Sequence, residues 1–169
     1  MTSTPDVFAC GIDEVGPSNL LTFEQSIPPY WAPELSTLQK RVGDPNTEEG
    51  RKFLLSRSPL MHVGAIKKPL LIAQGGNDPR VKKAESDQIA QSMQAKGIPV
   101  SYILFPDEGH GFQRPENEKA FDAVSELFLA QCLGGSYEPV GGDFKGSTIQ
   151  ALAGADTLYG FPEALGAAR

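Results

Sequence analysis

Three short apolar runs recur along the chain, and each is bounded by proline, glycine or other turn-forming residues. They lie within Pro5–Val15, at Leu70–Ala73 and within Pro99–Phe105. Continuous apolar runs of this length are typical of strands buried on both faces of a parallel sheet. The pattern therefore predicts three buried parallel strands, the first of which begins a few residues after Met1.

Helical signals fall between and after these runs. Lys83–Lys96 is followed by a glycine that suits a helix end, and Pro115 opens a segment whose apolar residues recur at helical spacing. Two shorter helices are predicted upstream, across Leu20–Ser26 with Ser18 as the cap, and across Thr47–Leu55. Alternating strands and helices indicate a parallel sheet with helical crossovers, so the predicted fold class is α/β.

Two stretches lack a regular hydrophobic pattern. Ile27–Asp44 contains Pro-Pro-Tyr-Trp-Ala-Pro and is predicted to be an irregular loop. Its aromatic residues, Tyr30 and Trp31, either wall a pocket or simply pack the loop onto the domain. After residue 134 the pattern fades, so the predicted organisation is one domain over residues 1–134 and an extended tail over residues 135–169.

Composition excludes several classes of partner. The chain has 169 residues, of which 40% are hydrophobic, and this is enough for one domain with its own core. Its net charge is −6 and its basic residues are not clustered, which argues against a nucleic-acid partner. No apolar run approaches the length of a membrane span, and the polar amino terminus lacks a signal-peptide pattern. We therefore expect no membrane partner and a cytoplasmic location.

Only two cysteines are present, and they lie far apart in the sequence. Cys10 falls in the first apolar run and Cys132 falls near the end of the last predicted helix. We expect both to be buried thiols, although two cysteines leave a disulfide open. No cluster of cysteine and histidine has the spacing of a metal site, so neither a metal nor another cofactor is expected.

Candidate chemistry follows the second and third predicted strands. Asp78 lies in the loop after Leu70–Ala73, and His110 lies between two glycines in the loop after Pro99–Phe105. In open parallel sheets ligands bind beyond the carboxyl ends of the strands, so these two loops should be neighbours. A carboxylate there can orient an imidazole and stabilise its protonated form. The alternative is that the two glycines form an ordinary turn and that His110 is an exposed loop residue.

Three segments carry a resemblance to a known family. They are Pro69–Val81, Phe105–Phe112 and Ser58–Leu60, and their order and spacing resemble the C-terminal part of the catalytic domain of the prolyl oligopeptidase family of serine peptidases. The acylaminoacyl-peptidase and dipeptidyl-peptidase-like branch is the most similar. The resemblance covers most of Pro5–Leu133. It implies a partial α/β-hydrolase fold with three layers, αβα, and about three parallel strands joined by crossover helices.

The resemblance also implies roles for four residues. Asp78 corresponds to the acid of the catalytic triad and His110 to the general base. Arg80 corresponds to an arginine that binds a substrate carbonyl, and Val81 to a position that lines the specificity pocket. From the residues alone, Arg80 is equally well a surface side chain and Val81 an apolar residue that caps the strand.

The chain departs from the family pattern at the nucleophile. Gly-x-Ser-x-Gly, the sharp turn that presents the serine in α/β-hydrolases, does not occur. Ser18 lacks the closing glycine, and Ser136 lies on the wrong side of His110 in chain order. The oxyanion donors and the β-propeller of the family are also missing. Without a nucleophile, turnover should fall by about 10⁶, so we expect the isolated chain to be inactive and not to react with a fluorophosphonate probe.

Three hypotheses of function follow. The first is that the chain is part of a serine peptidase, which acts on short or acylated peptides in its full-length form. The second is a non-catalytic module that self-associates or binds a complementary N-terminal fragment through an open sheet edge. The third is an esterase or dienelactone-hydrolase-like enzyme with a similar aspartate and histidine. The matches at Arg80 and Ser58–Leu60 favour the peptidase.

Overall fold

A computed structural model describes residues 1–167 and contains a four-stranded sheet. Its order is β1-β2-β3-β4; β1, β2 and β3 are parallel, and β4 runs antiparallel to β3. This confirms the α/β class and the three parallel strands, whereas the antiparallel strand was not predicted. The strand bounds are β1 Gly11–Glu14, β2 Leu70–Gly75, β3 Val100–Phe105 and β4 Gln150–Ala153.

Six α-helices accompany the sheet in the described residues. Three of them each have one end at the signal that the sequence predicts. Thr47 caps the third helix through its side chain, Pro115 is the first residue of the fifth, and Gly97, with φ of 66°, follows the fourth. The first helix is capped by Asn19 rather than by Ser18. The helix bounds are α1 Leu20–Gln25, α2 Ala32–Val42, α3 Glu48–Arg57, α4 Lys83–Ala95, α5 Pro115–Leu133 and α6 Phe161–Ala167.

Side chains of the two central strands alternate between two hydrophobic cores. Leu71 and Ile103 point into the core that contains the apolar face of α5. Ile72 and Tyr102 point into the core that contains α4. Every residue of β2 and β3 is buried. Helices therefore cover the sheet on both faces, which gives the predicted three layers and explains why these strands read as unbroken apolar runs.

The proline-rich stretch is not an irregular loop throughout, so this part of the prediction was wrong. A short 3-10 helix spans Pro29–Trp31 and α2 follows directly. Pro33 lies in the first turn of α2, where a proline is tolerated because the N–H it lacks would have no intrahelical partner. The prolines therefore mark the start of a helix rather than forbid one.

The first strand is shorter and less buried than the sequence suggested. β1 contains only four residues, and none of them is fully buried. Val7 and Phe8 precede the strand and are 69% and 53% exposed. The prediction that this strand is buried was wrong because, in the described residues, β1 lies at the edge of the sheet and pairs with β2 alone.

The carboxy-terminal segment is folded, so the prediction of an extended tail over residues 135–169 was wrong; residues 168 and 169 lie outside the described part. β4 extends the sheet, and α6 packs into the core that contains α5. Aromatic rings of Phe144 and Phe161 meet edge to face with centroids 5.5 Å apart. Six residues of this segment belong to the core around α5: Val140, Phe144, Ile149, Leu158, Phe161 and Leu165.

Cys10 and Cys132 form a disulfide, rather than the two free thiols expected from the sequence. Their Cα atoms lie 6.3 Å apart, and 122 positions separate them in the chain. The bond ties the segment before β1 to the end of α5. The cytoplasmic location expected from the sequence stays a prediction.

Within residues 1–167, no group of three or more histidine, cysteine, aspartate or glutamate side chains could hold a metal ion. The same residues include no helix that is both long and apolar enough to cross a membrane.

Replacing Phe161 by alanine tests whether the tail belongs to the core. Phe161 is 1% exposed, so Phe161→Ala should lower the free energy of unfolding by about 3–5 kcal/mol. Tyr159→Ala is the matched control, because Tyr159 is 70% exposed and its loss should change stability by less than about 0.5 kcal/mol. Urea denaturation measures both. Equal and small effects would show that the tail does not stabilise the domain.

Candidate active site

An aspartate and a histidine meet at the carboxyl ends of β2 and β3. Nδ1 of His110 lies 2.9 Å from Oδ2 of Asp78. The Asp78 side chain is fully buried, whereas that of His110 is 30% exposed. Because an ionised carboxylate only accepts hydrogen bonds, the proton in this contact belongs to Nδ1. In a neutral imidazole Nε2 is then an acceptor and is free to take a proton.

The other oxygen of Asp78 is held by the backbone of its own loop. Oδ1 accepts hydrogen bonds from the N–H groups of Arg80 and Val81, at 2.8 and 2.9 Å. These two bonds form the kind of local turn that aspartate favours. They leave Oδ2 directed at His110, so the carboxylate is oriented before any substrate binds.

Glycines allow the two loops to approach each other. A Cβ on Gly75 would lie 2.0 Å from the carbonyl oxygen of Gly109, and one on Gly76 would lie 2.6 Å from that of Pro106. The N–H of Asn77 donates to the carbonyl of Glu108 at 2.8 Å. Any side chain at Gly75 would separate the loops and with them the aspartate and the histidine.

The glycines beside His110 differ from each other. Gly111 has φ of 92°, a conformation that other residues adopt only with strain, and it therefore serves the turn. A Cβ on Gly109 would meet no atom within 4 Å. Lack of space therefore does not explain the glycine at position 109.

Glu108 stabilises the loop that carries His110 by accepting hydrogen bonds from its backbone. This residue was not predicted from the sequence. Its side chain is 3% exposed and accepts hydrogen bonds from the N–H groups of Gln113 and Arg114, each at 2.9 Å. The side-chain amide of Asn117 donates to it at 2.8 Å. A glutamate shortly before a proline-initiated helix was the available signal, since such a residue can accept from the free N–H groups ahead of the helix.

The ionisation of Glu108 is favoured by these donors. Burial alone would raise its pKa, but the N–H groups of Gln113 and Arg114 and the amide of Asn117 outweigh burial and lower the pKa below its usual value. Glu108 is therefore a carboxylate at neutral pH, and its charge stabilises the folded loop.

Glu108→Gln should lower the free energy of unfolding at pH 7 by about 2–3 kcal/mol, because the charge-assisted bonds are lost. The pKa of Glu108 is lower in the folded state than in the unfolded state. Its contribution is thus present above pH about 4.3 and is lost as pH falls through the folded pKa. Chemical denaturation from pH 7 to pH 3 should show the two proteins converging in acid. A constant difference across this range would contradict the role of the carboxylate.

A cavity of about 360 Å³ opens beside His110. Phe23, Trp31 and Val81 provide apolar walls, and the exposed side chain of Arg80 lies at the same cavity. All four residues singled out from the sequence, Asp78, Arg80, Val81 and His110, therefore lie together. Of the two aromatic residues that were expected either to wall a pocket or to pack the loop, Trp31 lines this cavity. Tyr30 is 59% exposed and is not among the lining residues. Phe23 was not predicted.

Ser18, the upstream serine considered above, is already engaged elsewhere. It is 2% exposed, and its hydroxyl donates to the backbone carbonyl of Glu85 at 2.6 Å. Its hydroxyl therefore bonds the segment before α1 to α4.

The fold is similar to that of α/β-hydrolase peptidases, and the chain belongs to the prolyl oligopeptidase family. The family pattern matches residues 1–136. A structure of a puromycin-hydrolyzing peptidase from Mycobacterium tuberculosis superimposes with a TM-score of 0.69 at 29% identity, over 79% of this chain and 20% of that one.

Two curated relatives are similar over nearly the whole chain. Dipeptidyl aminopeptidase BIII of Pseudoxanthomonas mexicana is 64% identical over 98% of this chain and 24% of its own length. Dipeptidyl peptidase family member 6 of Caenorhabditis elegans is 51% identical over 88% of this chain and 20% of its own length. The chain thus spans a quarter or less of each relative, and both names describe peptidases.

Proposed function

We propose that this chain supplies the acid and base of a serine-type peptidase that releases short or acylated units from peptides. The observation that carries the proposal is the 2.9 Å contact between Asp78 and His110 at the sheet edge where ligands bind. Family membership and the peptidase names of the relatives support peptide rather than ester substrates. The nucleophilic serine comes from outside these 169 residues, which contain no Gly-x-Ser-x-Gly sequence.

The chemistry follows from the orientation of the imidazole. Asp78 accepts the Nδ1–H bond and so keeps Nε2 as the basic nitrogen. Nε2 removes the proton from the serine hydroxyl as the hydroxyl oxygen attacks the peptide carbonyl, and it then returns that proton to the leaving amine. Between these steps the buried carboxylate of Asp78 stabilises the imidazolium.

Residues around the cavity are suited to hold a peptide. Arg80 carries a positive charge with several N–H donors that can bond a carbonyl oxygen of the substrate backbone. Phe23, Trp31 and Val81 form an apolar wall for the side chain next to the cleaved bond. We assign Arg80 to backbone recognition and Val81 to side-chain selectivity on this basis.

A chimera tests the proposed roles. Residues of this chain replace the matching segment of the Pseudoxanthomonas relative, to which it is 64% identical, and a dipeptide joined to a chromogenic amine reports hydrolysis. His110→Ala should lower kcat by about 10⁴–10⁶, because base catalysis is lost. Asp78→Asn should lower kcat by about 10⁴, because the imidazole is then held in the wrong tautomer.

His62→Ala is the matched control, since His62 is the other histidine of the chain and, within residues 1–167, its ring bonds only to the carbonyl of Ser56 on an exposed surface. Its kcat should stay within about twofold of the chimera's. The isolated chain, treated with a fluorophosphonate probe, provides the expected baseline of no labelling. A folded chimera that is inactive, or one whose activity survives His110→Ala, would contradict the proposal.

The open edge of β1 favours self-association as a second function. β1 pairs with β2 on one side alone in the described residues, and unpaired edges bind other strands. The N–H groups of Gly11 and Val15 donate to carbonyls of Pro69 and Ala73 on the β2 side. Because successive N–H groups of a strand point to opposite sides, those of Ile12 and Glu14 point to the open side. A second copy of this chain, or a complementary fragment, can pair there.

Light scattering across a hundredfold range of concentration tests this association. The average mass should rise with concentration, and Glu14→Pro should suppress the rise because proline lacks an N–H. Glu14→Gln, which keeps the N–H and removes the charge, serves as the control and should still associate. A monomer at every concentration, with a cooperative thermal transition, would exclude the edge as an interface.

A further inference from the structure

We propose that Gln74 is a positioning residue for the Asp78–His110 pair. Gln74 lies in β2 and is completely buried. Its side-chain nitrogen Nε2 lies 3.4 Å from Oδ2 of Asp78, the same oxygen that accepts the bond from His110. The proposal deepens the function proposed above and rests on it. Gln74 acts through Asp78 and does not line the cavity beside His110.

The orientation of the Gln74 amide is fixed by its surroundings. Nε2 faces three acceptors, namely Oδ2 of Asp78 and the carbonyl oxygens of Gly75 and Val81, the last two at 3.1 and 3.2 Å. On the other side, the hydroxyl of Ser86 donates to Oε1 at 2.8 Å. Reversing the amide would place its oxygen against three acceptors, so only one orientation satisfies the site.

This orientation makes Gln74 a brace across the loop that carries Asp78. Gly75 ends β2 directly before that loop, Val81 lies near the end of the loop, and the amide nitrogen bonds the carbonyls of both. The backbone N–H groups of Arg80 and Val81 hold Oδ1 of Asp78, but they belong to the loop itself. Gln74 in addition connects the carboxylate to a central strand, so the position of Oδ2 depends on the sheet as well as on the loop.

The chemistry of the strand supports a role beyond packing. A buried amide costs free energy unless its bonds are satisfied, and the preceding residues of β2, Leu70–Ala73, are all apolar. A leucine at position 74 would continue that pattern but would leave the carbonyl of Val81 without its side-chain donor. The position carries the one side chain of β2 that can donate to the carboxylate.

Exchange of the His110 Nδ1 proton with water, measured by NMR on the isolated chain, tests the positioning role without any catalysis. Gln74→Leu should accelerate this exchange by at least tenfold, because the carboxylate of Asp78 then loses its connection to β2 and is held by its own loop alone. Ser86→Ala keeps the amide and removes only the hydroxyl that holds Oε1. Ser86→Ala should therefore accelerate the exchange less, by about threefold. If Gln74→Leu does not fold, the result for Ser86→Ala tests the positioning role instead.

Gln88→Leu is the matched control. Gln88 is a second side-chain amide, in α4, and its Nε2 donates to Ser18 and Glu85 rather than to the Asp78 loop. This variant should leave the exchange of the His110 proton unchanged even where it lowers thermal stability. Unchanged exchange in both Gln74→Leu and Ser86→Ala would overturn the proposal, as would equal acceleration by Gln88→Leu.

Kinetics in the chimera separate this inference from the function on which it rests. Per fluorophosphonate-labelled site, Gln74→Leu should lower kcat about 10–100-fold with KM within about twofold, since the substrate contacts remain. A full kcat in an active chimera would overturn the role of Gln74 and leave the proposed function standing. A chimera inactive with Gln74 present would instead refute the proposed function.

Discussion

The site depends on how closely two loops approach each other at the carboxyl ends of β2 and β3. Gly75 and Gly76 allow that approach because a Cβ at either position would collide with the backbone of the opposite loop. The hydrogen bond from Asn77 to the carbonyl of Glu108 then fixes the distance between the loops. The contact between Asp78 and His110 follows from this backbone packing, so the parallel pairing of two central strands determines the chemistry at their ends.

Buried polar groups behind the two loops also maintain the contact between Asp78 and His110. Glu108 satisfies the N–H groups that precede α5, Gln74 braces the Asp78 loop, and the carboxylate of Asp78 uses one oxygen for its own backbone and the other for His110. Each group is costly to bury alone and is satisfied by several partners. The imidazole is consequently held from one side, while the other side faces the cavity and the surface.

Much of this arrangement was predictable from strand order. β2 and β3 are buried on both faces and so appear as unbroken apolar runs, and Asp78 and His110 could be placed together because each follows one of them. The remainder depended on tertiary context. The prolines at the start of α2 initiate a helix, and β1 is at an edge and therefore loses the burial that its sequence suggests. Phe161 is buried because it joins the core around α5, where it meets Phe144. Gln74 could not be predicted because a single polar residue in an apolar strand does not reveal which backbone groups it will meet, whereas the position of Glu108 before a proline-initiated helix was a usable signal.

The central claim is that Asp78 orients His110 within this chain, before any nucleophile is supplied. The ¹⁵N chemical shifts of the His110 ring, recorded where the imidazole is neutral, measure which nitrogen carries the proton. The structure predicts a protonated Nδ1 in the native chain and a loss of this preference in Asp78→Asn. An Nε2-protonated ring in the native chain, or a tautomer that does not respond to Asp78→Asn, would contradict the account.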